Sequence, residues 1–81
     1  MTPSNPKASP SSSLRIALFG AGRHAQHHAR AILRCAGAKL VAVADPSDTA
    51  QAAMRRIVPG IKIYVTTEEL LVAERPDVVH I

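Results

Sequence analysis

An apolar run, Leu14-Arg15-Ile16-Ala17-Leu18-Phe19, leads directly into Gly20-Ala21-Gly22-Arg23-His24-Ala25 and then into a helix-like segment. This is Gly-x-Gly-x-x-Ala at a strand-to-helix junction, and few folds accommodate it. Gly20 permits a tight turn off the strand. Gly22 carries no Cβ, so backbone can approach a pyrophosphate closely. Ala25, where a third glycine is usual, keeps helix and strand in close contact. The helix that starts here points unpaired N–H groups and the positive end of its dipole toward the turn. Asp45 closes the next apolar run, 23 residues after Gly22, placed to accept hydrogen bonds from a ribose. Together these parts predict a dinucleotide site formed by Gly20, Ala21, Gly22, Arg23, His24, Ala25, Asp45 and Pro46.

The rest of the chain follows the same alternation. A first helix is predicted over about 23–35, stopped near Gly37, with Ala25, Ala29, Ile32 and Ala36 facing a sheet. Lys39–Asp45 reads as a second strand, apolar on both faces and therefore central. Pro46-Ser47-Asp48 turns the chain into a helix of about 49–58, whose stripe is Ala50, Ala53, Met54 and Ile57. Pro59-Gly60 breaks it, and Ile61–Val65 is a third, shorter strand. Thr66 and Glu69 have the spacing of a capping box before a helix of about 67–74, which Arg75-Pro76 ends. A fourth strand is predicted over Asp77–Ile81. The expected fold is α/β, a partial Rossmann arrangement. It has a parallel sheet of order 3-2-1-4, the first two helices on one face and the third on the other.

Size and composition permit one small domain. The 81 residues are 47% hydrophobic but only 2% aromatic, so the core must be built from Val, Ile, Leu and Ala. Residues 1–13 hold three prolines, five serines and one lysine without an apolar stretch. They read as a disordered Ser/Pro-rich tail and not as a secretory signal. No apolar run approaches the roughly 18 residues of a membrane span. Cytoplasm is the default location. Cys35, alone, excludes an internal disulfide and a thiolate metal cluster, and is expected as a small buried thiol.

Other chemistries have weaker footing. The net charge of +4 is spread out, and Arg23, His27, Arg30 and Arg34 form one helix stripe. Such a stripe resembles a nucleic-acid face, but a solvated surface explains it, so no specific nucleic-acid partner is expected. His24 and His28 share an i, i+4 face, yet no third ligand is near in sequence and no metal is expected. His28 is expected to pack beside the sheet, and His80 to lie at the ligand-side end of its strand. No Gly-x-Ser-x-Gly elbow occurs, which leaves serine hydrolysis unsupported. An S-adenosylmethionine site shares the glycine loop and the acid, but usually adds a glycine where this chain has His24. A non-catalytic nucleotide-binding or sensor module fits the same residues.

Gly20-Ala21-Gly22, His28-Ala29, Val41-Ala42-Val43-Ala44-Asp45-Pro46 and Arg75-Pro76-Asp77-Val78-Val79-His80-Ile81 resemble the amino-terminal part of the Gfo/Idh/MocA oxidoreductases. The likeness spans residues 14–81 and departs at Ala25, where that family usually has glycine. It implies NAD or NADP as cofactor, and hydride transfer between nicotinamide and a sugar, cyclitol or related hydroxyl carbon. In that family a catalytic lysine in a Glu-Lys-Pro motif lies beyond strand four, and a second domain holds the substrate. Residues 14–81 are thus expected to be a truncated dinucleotide-binding domain, without catalytic residues and inactive alone. Asp45, lacking a basic neighbour in Pro46 or Ser47, favours NAD over NADP. Oligomerisation is compatible with this reading.

Overall fold

The computed structural model describes residues 13–81. The tail expected over 1–13 therefore lies, apart from Ser13, outside the described residues. The elements are β1 (Leu14–Phe19), α1 (Arg23–Leu33), β2 (Ala38–Ala44), α2 (Asp48–Ile57), β3 (Lys62–Tyr64), α3 (Thr67–Glu74) and β4 (Val78–His80). The strands form one parallel sheet in the order β3-β2-β1-β4, as the sequence predicts.

The two faces of β1 and β2, whose pairing shifts register between Ile16 and Ala17, divide the core into two layers. On one face Leu18, Leu40 and Val43 meet Ala29 of α1 and Met54 of α2, with Ala25, Ile32, Ala50 and Ile57 packed around them. On the other face Ala17, Ala42 and Ala44 meet Leu70 of α3. Small alanines on both sides let the helices approach the sheet closely. The third helix lies across from the first two, as right-handed crossovers require.

Local signals explain the helix boundaries. Ser47 Oγ accepts the Ala50 N–H at 3.2 Å to start α2. Thr66 and Glu69 form the predicted capping box at α3. Arg75, in the left-handed region at φ 46°, ends α3 immediately before Pro76.

Two expectations fail at the end of α1. The helix stops at Leu33, and its last turn tightens: the N–H groups of Arg34 and Cys35 donate to Ala31 and Ile32, three residues back. Gly37 then turns the chain at φ 82° toward β2. Ala36 consequently lies beyond the helix and is exposed, not on the sheet-facing stripe. Cys35 is likewise exposed, not a buried thiol.

Candidate functional site

The chain leaves β1 in one direction, toward β2 and β3, and then crosses back to place β4 on the other side of β1. At such a reversal the helices diverge to opposite faces and open a crevice beyond the carboxyl ends of the strands. A cavity of about 250 Å³ occupies that place, lined by Phe19, Gly20, Gly22, Arg23, His24, Ala25, His28, His80 and Ile81. A larger recess, about 350 Å³, lies at the opposite end of the sheet against Arg15, Lys39, Lys62 and Glu74. The turn that faces it, Pro59-Gly60, leads from α2 into β3 and not from a strand into a helix N-terminus, and Glu74 is already engaged there by Arg15 and Lys62. Volume alone would choose the wrong end.

The two glycines of the turn serve different ends. Gly20 sits at φ 104°, a conformation that side-chain-bearing residues rarely adopt, and its N–H donates to the Ala44 carbonyl at 2.7 Å. Gly22 is extended, at φ −74° and ψ −169°, where any residue is comfortable. A Cβ built there meets no protein atom within 4 Å. The fold itself does not need glycine at 22; the bare position leaves space in the cavity wall.

That space adjoins an uncapped helix. Gly22 is the N-cap of α1 and no side chain caps it, whereas Ser47 and Thr66 cap α2 and α3. The first turn of α1 also lacks an acidic residue. The helical ladder begins with Gln26 N–H donating to the Gly22 carbonyl, so the N–H groups of Arg23, His24 and Ala25 precede it. Donors, dipole and clearance at Gly22 fit a pyrophosphate.

Asp45 follows β2 and is half-buried. One carboxylate oxygen accepts the Ala21 N–H and the other the Ser47 N–H, both at 2.8 Å. Its own N–H donates to the Tyr64 carbonyl at 2.9 Å. Pro46 beside it is exposed. The predicted site residues are thus brought together around the turn, with Ala21 fully buried beneath it and Ala25 packed toward the core.

Sequence reasoning missed several supports. Gln51 is buried and its Nε2 donates to the Asp45 carbonyl at 2.6 Å; Gln26 Nε2 donates to the Ala21 carbonyl at 3.1 Å. A glutamine on a helix has no sequence signature that separates this duty from solvation. His28 was expected to pack beside the sheet, but it is exposed and meets His80 edge-on, with ring centroids 4.0 Å apart. Among the described residues no three His, Cys, Asp or Glu side chains converge as a metal-ligand set.

A parallel sheet of this order, with an uncapped helix at a glycine turn and an acid after the second strand, defines a dinucleotide-binding Rossmann domain. The profile of an oxidoreductase family with an NAD-binding Rossmann fold matches residues 14–81, and the chain belongs to that family, Gfo/Idh/MocA. A search of curated proteins found no match to the chain. The cofactor is NAD, and the family match does not favour the S-adenosylmethionine, sensor or nucleic-acid readings. No helix among the described residues is long and apolar enough to cross a membrane.

Proposed function

We propose that residues 14–81 hold NAD for hydride exchange with a hydroxyl carbon of a sugar, cyclitol or related small molecule. The observation that carries the binding assignment is the junction of Gly22, the uncapped α1 and Asp45 at the reversal between β1 and β4. In this reading Gly20, Ala21 and Gly22 shape the turn, and the backbone of Arg23, His24 and Ala25 receives the pyrophosphate. Asp45, with Pro46 beside it, receives the adenosine ribose. Bound NAD supplies the nicotinamide ring that accepts or returns the hydride. These residues bind and orient; none of them is proposed to move a proton. The substrate class rests on the family resemblance, and so does the proposal that this 81-residue chain alone does not turn over substrate. A cytoplasmic location is proposed on the same footing.

Cofactor preference tests the role of Asp45. A carboxylate at the ribose suits paired hydroxyls and repels a 2′-phosphate, and neither Pro46 nor Ser47 offsets that repulsion. Calorimetric titration should show NAD bound more tightly than NADP. Asp45→Ala should weaken NAD by about 1–3 kcal/mol. Tighter binding of NADP by the unmodified chain would remove the assignment.

A further inference from the structure

Asp45 does more in this fold than present an acid to a ribose. Ala21 is fully buried, and the acceptor of its N–H is the Asp45 carboxylate, 24 positions away in sequence. The second carboxylate oxygen takes the N–H of Ser47, the residue that caps α2. One side chain therefore ties the turn before α1 to the turn before α2. Of the neighbouring ties, Gly20 N–H to Ala44 and Gln26 to the Ala21 carbonyl, neither satisfies the Ala21 N–H. Without Asp45 that buried donor would be stranded, at a cost a protein avoids by moving. Gly20 and Gly22 flank it and make the turn easy to rotate. Rotation would carry the uncapped N–H groups of α1 off their present direction.

The geometry points to Asp45 as a positioning residue for the pyrophosphate, acting through the Ala21 N–H as well as on the ribose. This rests on the dinucleotide reading above. It also has a sign that simple electrostatics does not share. If Asp45 were only a nearby negative charge, removing it would strengthen the binding of an anion. If it holds the turn, removing it weakens anion binding. The ribose role alone predicts a loss for adenosine and none for pyrophosphate.

The test titrates inorganic pyrophosphate and adenosine separately into the 81-residue chain, into Asp45→Ala and into Asp45→Asn. We expect pyrophosphate affinity to fall about tenfold in Asp45→Ala, the scale of one lost charge-assisted hydrogen bond. Asp45→Asn should fall less, because its single acceptor oxygen serves one of the two N–H groups. Amide exchange at Ala21 should speed up in both variants while exchange within β2 stays unchanged, a pattern that general loosening would not give. Unchanged or tighter pyrophosphate binding in a variant whose Ala21 amide exchanges faster overturns the positioning role, and Asp45→Asn decides the matter if Asp45→Ala does not fold. Failure of the unmodified chain to bind either pyrophosphate or NAD overturns the underlying cofactor reading, and the proposal with it.

Discussion

At the scale of single residues, Gly20 and Gly22 show how one motif contains two unrelated requirements. Gly20 is a backbone requirement, set by its positive φ. Gly22 has an ordinary conformation and open space where its Cβ would be, so the fold does not require it, and in the proposed reading its requirement comes from the ligand. Gly22→Val should therefore abolish NAD binding in calorimetry while the far-UV circular dichroism and thermal midpoint stay as they were. NAD bound at undiminished affinity would show that the cradle lies elsewhere. These glycines and Asp45 were legible because each answers a need that chain-local spacing expresses. Gln26, Gln51 and the His28–His80 contact were not legible, because only the folded chain brings their partners near. Cys35 and Ala36 misled for a smaller reason: the apolar stripe continues past the point where α1 tightens and stops.

Between elements, the chief tie that the pattern did not foretell is Glu74, the last residue of α3. It is buried, accepts a hydrogen bond from Tyr64 of β3 at 2.5 Å, and pairs with Arg15 of β1 at 3.2 Å. Lys62 stands 3.6 Å away but is mostly exposed, and should add little. The Tyr64 hydrogen bond first, and then Lys62 and Arg15, hold the Glu74 carboxyl below its ordinary value against the opposing effect of burial. The same bond raises the Tyr64 phenol. A depressed carboxyl stabilises the fold above the ordinary glutamate value, near 4.3, and loses that contribution as pH falls through the lowered folded value. A raised phenol stabilises below its ordinary value, near 10, and loses it as pH rises through the raised one. Resistance to urea denaturation should accordingly weaken at both extremes. Glu74→Gln should lower the neutral-pH stability by about 1–3 kcal/mol and flatten the acid limb. An acid limb unchanged in that variant would exclude Glu74 as its source. The exposed face of α1 calls for a different check. Arg23, His27 and Arg30 point outward, with Arg34 just beyond, and no described contact organises them into a reading surface. DNA binding should be weak, indifferent to sequence and steeply reduced by salt, as fluorescence anisotropy can show. Sequence-selective binding at physiological salt would restore the nucleic-acid reading.

For the whole molecule, the two edges of the sheet differ in kind. The edge at β3 is three residues long and opens with exposed Lys62, a charge of the sort that discourages strand pairing. The edge at β4 pairs with β1 on one side and carries Val78 at 41% and the following Ile81 at 92% exposure. Beside it a mostly apolar recess of about 180 Å³ runs between Ile16, Ala31, Ile32, Cys35 and Val78, with His28 and His80 also in its wall. The alternation of strands and helices already foretold β4 at the edge of the order 3-2-1-4. The recess was not foretold, because it depends on how α1 ends and where its flank meets β4. A short apolar edge next to an uncovered apolar cleft favours pairing with another chain. In sedimentation velocity, under reducing conditions that keep Cys35 from cross-linking, the 81-residue chain should gain apparent mass with concentration. Val78→Lys should suppress that gain, because a charge on the edge opposes strand addition while the position is too exposed for the core to depend on it. If the unmodified chain stays monomeric over a hundredfold concentration range, the β4 edge does not recruit a second chain and the recess beside it is not a docking surface for one.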